Sequence, residues 1–243
     1  MSDFQLSIKP LKLSELPSED VIIKTGQTLI ESTKSWKLGK THEHVVKTFS
    51  DSKHRVDGVG WHCRLSEHTS EDATFEEFWS GLGVNKAENE KEFITTIKKV
   101  QLVKQISPTQ SIWTLYYTFP PPVSPRVFTV LQTTHLNETS PRSGMIISIP
   151  IDLSSPETAD LEKLEEKGVR GRYTSVEALT ELEGGKVEWR MAVQSRPGGN
   201  IPTFISEMTM AGKVSEDVPQ FIKWNQGRRT KRNAVEEPVN TQN

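Results

Sequence analysis

Arg196-Pro197-Gly198-Gly199-Asn200-Ile201-Pro202-Thr203-Phe204-Ile205, leading on to Asp217-Val218-Pro219-Gln220-Phe221-Ile222-Lys223-Trp224, reads as the end of a strand, a sharp reversal and a long closing helix. Gly198 and Gly199 supply the backbone angles a tight turn needs. Asn200 is a residue type that caps free N–H groups, and Pro202 suits a first helical turn, where its missing N–H is not needed. Ile201, Phe204, Ile205 and Met208 then recur at i, i+3, i+4 and i+7, so the helix carries one apolar face. A helix of this kind, arriving after many strands, needs a sheet to cover.

The preceding sequence supplies that sheet. Six strand-like segments, Lys99 to Ile106, Ser111 to Phe119, Arg126 to Thr134, Met145 to Ile151, Tyr173 to Leu182 and Lys186 to Ser195, are separated by turn signals and predict an antiparallel meander. In the last of them Val187, Trp189, Met191 and Val193 alternate with Glu188, Arg190, Ala192 and Gln194, which predicts one buried and one wet face. Trp113, Leu115, Tyr117 and Phe119 share such a parity.

Upstream, Leu16 to Thr33 has helical periodicity with Ser18 as its cap, and His44 to Ser50 and Gly58 to Ser66 read as strands. Asp72 is placed to cap a short helix, Thr74 to Leu82, and a second short helix spans about Glu88 to Ile97. The residues after Trp224, including the cluster Arg228 to Arg232, are charged and lack apolar periodicity. The expected layout is an N-terminal extension at 1–14, one domain at 15–226 and a disordered charged tail at 227–243.

Composition narrows the function classes. The 34% hydrophobic and 26% charged content over 243 residues suits one sizeable soluble domain. A net charge of −2 argues against a nucleic-acid coat. Cys63 is the single cysteine, and the first ten residues lack the apolar run of a signal peptide, so a cytoplasmic protein is expected. His42, His44, His54, His62, His68 and His135 show no metal-ligand spacing with Cys or carboxylates, and no phosphate-binding glycine loop is present. Neither a metal, a cofactor nor a catalytic set is expected, and Cys63 reads as an inert, half-buried thiol.

The element order and the turn into the last helix resemble START domains of the helix-grip superfamily, over roughly residues 15 to 226. Phe119-Pro120-Pro121-Pro122-Val123-Ser124-Pro125-Arg126-Val127-Phe128 resembles the Pro-Arg-Asp-Phe segment of that family, with Val127 in place of the acid. Phe75-Glu76-Glu77-Phe78-Trp79, Gly168-Val169-Arg170-Gly171-Arg172-Tyr173, Glu188-Trp189-Arg190-Met191 and Gly198-Gly199-Asn200-Ile201-Pro202 are similar to a START-like family of unknown function seen mainly in fungi. The resemblance implies an α+β helix-grip fold: a curved antiparallel sheet closed by the C-terminal helix. It also implies a carrier that binds or transfers a lipid or other hydrophobic molecule in an internal cavity.

On that layout Trp113, Leu115, Tyr117, Trp189, Met191 and Val193 of the strands and Phe204, Ile205 and Met208 of the closing helix are the candidate cavity residues, opposite a pocket of roughly 300 Å³ or more. In a meander alternate connections share one end of the sheet. Arg126, Arg170, Arg172 and Arg196 therefore fall together, as a candidate rim for an anionic headgroup or a peripheral membrane contact, unless the acidic residues of 157–166 pair with them. Two other readings remain: an interaction module whose cavity is filled by its own side chains, and a helix-grip enzyme of the cyclase or hydrolase kind.

Overall fold

The computed structural model of the chain describes residues 4–42, 46–201 and 203–236, with the side chains of 52–56, 203–208 and 233–236 outside that description. Helix α1 (Glu19–Ser32) is followed by β1 (Lys37–His42), β2 (Val46–Val56) and β3 (Val59–His68), then by the short helices α2 (Phe75–Leu82) and α3 (Lys86–Phe93). The remaining strands are β4 (Ile97–Ser107), β5 (Gln110–Tyr117), β6 (Arg126–Asn137), β7 (Ser143–Pro150), the two-residue β8 (Val169–Arg170), β9 (Arg172–Glu181) and β10 (Val187–Arg196). A four-residue helix, α4 (Ala159–Glu162), lies between β7 and β8, and α5 (Thr203–Glu236) closes the chain.

One sheet holds all ten strands in the order β1-β2-β3-β10-β9-β7-β6-β5-β4, with β8 pairing in parallel at the end of β6. The predicted meander is thus present, and its last strand returns to pair with β3. The fold is an α+β helix-grip: the antiparallel sheet is covered on one face by α5, α2 and α3 and on the other by α1.

Each face has its own apolar cluster, set by strand parity. On the α1 face Trp61, Ile112, Leu131, Ile147, Ile149, Val176 and Ala192 pack with Ile22, and the N-terminal segment adds Leu6. Gly26 lets α1 approach closely, since a Cβ there would lie 2.6 Å from Ile147 Cδ1. The wet face expected for β10 is therefore covered. Arg190 and Gln194 are buried on it, with Arg190 Nη1 donating to Thr33 Oγ1 at 3.0 Å and Gln194 Nε2 to the Val59 carbonyl at 2.7 Å. Polar residues at alternate positions read as solvent-facing, but here they meet the end of a helix and a neighbouring strand.

On the opposite face Phe221 of α5 stacks on Phe78 at 4.9 Å and meets Trp189 edge-on at 5.3 Å, with Phe93 at 5.7 Å and Trp224 at 5.7 Å. Aromatic contacts of this geometry add about 0.5–1.5 kcal/mol per pair to the area they bury. This plug fixes the C-terminal half of α5 to the body.

Several boundaries differ from the sequence reading. Asp72 does not cap α2: Thr74 does, in a reciprocal box with Glu77, because the cap must stand three residues before the carboxylate that reaches back to it. Strand β1, rich in Lys, Gly and Thr and mostly exposed, carries no apolar alternation and was not predicted. Helix α5 starts at Thr203, so Asn200 lies in the turn before it, and Pro202 lies outside the described residues. At its other end α5 continues to Glu236, so the expected disorder from residue 227 is corrected to helix as far as described. Arg229 explains the extension: it pairs with Glu77 and donates to the Glu71 and Ser70 carbonyls at 2.8 Å each, which gives a charged helix end tertiary partners.

Candidate functional site

Connections β5–β6, β7–β9 and β10–α5 lie at one end of the sheet, as the meander requires. Arg172 and Arg196 are cross-strand partners there, and Arg126 and Val127 pair with Val169 and Arg170. The four arginines do share one end, but they do different things. Arg126 is buried rather than a rim residue. Its guanidinium donates to the carbonyls of Ser124, Pro197 and Gly198, tying the proline loop to the turn that launches α5. Gly198, at φ +70°, fits because a Cβ would lie 2.5 Å from the Arg170 carbonyl. Arg170 pairs with Glu162 and Glu165, so the acidic-loop alternative holds for it. Arg172 is exposed, and Arg196, also exposed, donates to the Asp57 carbonyl at 2.9 Å.

Under α5 the predicted parity places Trp113, Leu115, Tyr117, Trp189, Met191 and Val193 on the covered face. Leu115 and Trp113 are packed with Ala87, Ile97 and Val130, and Trp189 belongs to the aromatic plug, so these three act as core. Phe204, Ile205 and Met208 lie outside the described side chains, as does the pocket expected opposite them. Met191, Tyr117 and Tyr173 are different: each keeps part of its surface accessible although it lies on the covered face of a central or inner strand. Burial nevertheless raises the pKa of both tyrosines.

The same face carries a buried charged cluster which the sequence reading missed. Arg64 of β3 and Glu177 of β9 both stand opposite Met191 of β10, and Nη2 of Arg64 lies 3.7 Å from Oε2 of Glu177. Glu177 also accepts from Trp189 Nε1 at 3.0 Å, while Lys86 of α3 sits 2.6 Å from both Glu177 and Glu90. Arg64 stacks its guanidinium 3.8 Å from the Trp189 ring centroid. From α5 the half-buried Asp217 faces the same group.

Burial works against every charge here. It pulls Arg64 below its ordinary pKa and pushes Glu90 up. It would raise Glu177 too, but Lys86 and Arg64 outweigh it and hold Glu177 low; the two carboxylates likewise hold Lys86 above its ordinary value. Asp217, desolvated and beside Glu90 and Glu177 with only partial relief from Arg64, is raised to about 7. Among the described residues, Nε and Nη1 of Arg64 find no hydrogen-bond partner, nor does Nε2 of Gln132 farther across the floor. Buried donors without acceptors are costly, at about 1–3 kcal/mol each, and mark places that a ligand or water completes. Lys86, Glu90 and Arg64 belong to no motif in the sequence; only the placement of α3 and the β3–β10–β9 ladder brings them together.

The other chemistry-bearing residues are structural. Ser66 Oγ lies 2.8 Å from His68 Nε2 and Asp72 lies 3.4 Å from His68 Nδ1, but Ser66 is buried and the His68 ring packs on Phe78 at 5.2 Å. The trio joins the end of β3 to the lead-in of α2, beside an outer pocket of about 270 Å³ lined by Lys47, Leu65, Glu67, Thr69 and Lys186 among others. Cys63 is buried more fully than expected, and burial pushes its thiol up to about 11. His44 and the side chain of His54 lie outside the described residues. No cluster of His, Cys, Asp and Glu fit for a metal exists among the described residues, and none of their helices is long and apolar enough to cross a membrane.

The fold is that of solved START domains. The structure is similar to that of human STARD10, with a TM-score of 0.72 at 12% identity, covering 90% of this chain and 84% of that one. It is also similar to human StAR-related lipid transfer protein 5, with a TM-score of 0.69 at 13% identity and coverage of 87% and 96%. The lipid transfer and protein localization domain of human StarD13 gives 0.61 at 12% identity, with coverage of 86% and 98%. No curated protein sequence matches the chain. Residues 61–225, more than half of the chain, match the model of the family described as Protein of unknown function (DUF3074), and the chain therefore belongs to that family, built on a START-like helix-grip domain.

Proposed function

We propose that the protein is a carrier, not an enzyme, which binds one lipid or other hydrophobic molecule between the sheet and the N-terminal half of α5 and exchanges it through the arginine-bearing end. The observation that carries this reading is the set Met191, Tyr117, Tyr173 and Asp217, each partly accessible on the covered side, with burial raising the pKa of the two tyrosines and of Asp217. Apolar burial supplies the affinity and a few fixed polar groups set the orientation. The structural neighbours named as lipid transfer proteins support it through the shared fold. Transient contact with an anionic membrane surface would involve the exposed Arg172 and Arg196.

The aromatic plug around Phe221 favours a second reading, a module filled by its own side chains. Native mass spectrometry of the full chain, followed by lipid extraction, separates the two. The carrier reading predicts one extra lipid mass per chain; the bare protein mass alone would favour the filled module.

A further inference from the structure

Thr69 follows β3 directly and opens the connection to α2, and the next two residues hold the C-terminal end of α5: the carbonyls of Ser70 and Glu71 accept from Arg229 at 2.8 Å each. Thr69 is exposed, and among the described residues its hydroxyl makes no hydrogen bond. The β3–β10 ladder ends at His68 opposite Val187, so Thr69 and Lys186 come next on the two chains. On the other side of β3 the pairing with β2 runs as far as Leu65, opposite Lys47. Thr69, Lys186 and Lys47 line one outer pocket of about 270 Å³ together with Glu67. Both lysines are exposed and form no ion pair among the described residues.

The segment itself has the opposite sign. In Thr69-Ser70-Glu71-Asp72 two carboxylates follow the hydroxyls, with Glu71 exposed and Asp72 half-buried. A kinase with a basic substrate cleft selects such a segment by charge complementarity.

We propose that Thr69 is a phosphorylation site for an acid-directed protein kinase, and that the phosphate, seated between Lys186 and Lys47, locks the segment that holds the C-terminal end of α5.

This inference does not rest on the carrier reading. In the modification Thr69 Oγ1 bonds to the γ-phosphorus of ATP, the bond from that phosphorus to the bridging oxygen breaks, ADP leaves and the hydroxyl proton is released. A neutral hydroxyl becomes a group of about −2 charge near neutral pH, whose oxygens accept charge-assisted hydrogen bonds that the hydroxyl could not draw. Lys186 stands across the end of the ladder and Lys47 on the far neighbour of β3, so the phosphate ties β3 to both neighbours where the two ladders have run out. Glu67 opposes the phosphate in the same pocket, but the two lysines outnumber it. Fixing Thr69 restrains Ser70 and Glu71 beside it, and with them the acceptors of Arg229, so the end of α5 opens less often.

The test treats the full chain with magnesium, ATP and casein kinase 2, an acid-directed enzyme, maps the modified residue by peptide mass spectrometry, and compares amide hydrogen exchange of the modified and untreated protein. The expected result is phosphate on Thr69 and exchange at least about fivefold slower at residues 225–232 of α5, the scale of one charge-assisted hydrogen bond after discount for exposure. Lys47→Ala with Lys186→Ala, checked for wild-type-like melting, should still take up phosphate but lose the slowing. Thr69→Val should show neither. No phosphate on Thr69, with Ser70 or other hydroxyls modified or not, overturns the inference. So does exchange that is equal or faster once Thr69 carries phosphate; both of these arms use the wild type and need no variant. Slowing that persists in the double lysine variant overturns the seat between the lysines.

Discussion

Arg64 and Glu177 stand two strands apart, each directly opposite Met191, and their side chains meet with Nη2 and Oε2 3.7 Å apart. Two charges in contact on the covered face of a sheet are expensive unless other groups complete them. Lys86 and Trp189 complete Glu177, while Nε and Nη1 of Arg64 have no hydrogen-bond partner among the described residues. The asymmetry leaves Arg64 incompletely satisfied on the covered face of the sheet.

Asp217 ties the floor to the helix above it, and its raised pKa of about 7 gives stability a definite slope. A carboxyl whose folded pKa lies above its unfolded one is bound to a proton more tightly in the folded state, so folding is favoured at low pH and the advantage is lost as pH rises toward 7. Asp217→Asn should remove this term. It should exceed the wild type in stability by on the order of 1–2 kcal/mol above about pH 7.5, after allowance for its partial exposure, and the gap should close toward about pH 4. Urea unfolding across that range measures it; a gap that widens on acidification contradicts the assignment.

Glu77 shows the opposite sign. It caps α2 through the Thr74 N–H at 2.9 Å and pairs with Arg229, which together outweigh burial and hold its pKa down at about 2. That contribution is present above the ordinary carboxylate range and disappears as pH falls through about 4 to 2. Glu77→Gln should therefore cost about 2–3 kcal/mol at neutral pH and much less near pH 2.5 in urea melts. Arg228→Ala, which removes a cation–π contact to Trp224 on the same helix, should cost under about 1 kcal/mol.

Phe221 is the centre of the aromatic plug. Phe221→Ala should lose about 3–5 kcal/mol of stability by denaturant titration, because the rings around it are held by the sheet and by α2 and cannot collapse into the space. A loss under about 1 kcal/mol would mean that α5 is not seated there.

At the arginine-bearing end, Arg170→Gln should free Glu162 and Glu165 and speed proteolysis within residues 152–171, with little change in vesicle binding. Arg172→Gln together with Arg196→Gln should instead weaken sedimentation with anionic vesicles at low salt, each arginine contributing on the order of 1 kcal/mol. Equal sedimentation of that double variant and the wild type would remove these two residues from any membrane contact.

Much of the fold was legible because it rests on local signals. The Gly198–Gly199 turn adopts the predicted positive φ angles, and the alternation of Val187, Trp189, Met191 and Val193 set the covered face correctly. Meander parity alone placed four arginines at one end. What failed was what depends on partners far away in sequence. The second face of β10 looked wet because α1, some 160 residues upstream, was not known to lie on it. The end of α5 looked disordered because Glu77 was not known to meet Arg229. Arg126 looked like a rim residue although the carbonyls of Pro197 and Gly198 draw it inward. The charged floor had no sequence signal, since Arg64, Lys86, Glu90 and Glu177 are separated by strands and a helix that only the tertiary fold aligns.

The central claim is that a lipid lies between the sheet and the first half of α5. The most direct measurement is photo-crosslinking of the full chain with a lipid carrying a diazirine in its acyl chain, followed by peptide mapping. The account predicts adducts on β5 around Tyr117, on β10 around Met191 and on the N-terminal half of α5, with α1 unlabelled. Labelling confined to α1 and the outer strand faces, or no adduct in excess of a protein of unrelated fold, would contradict it.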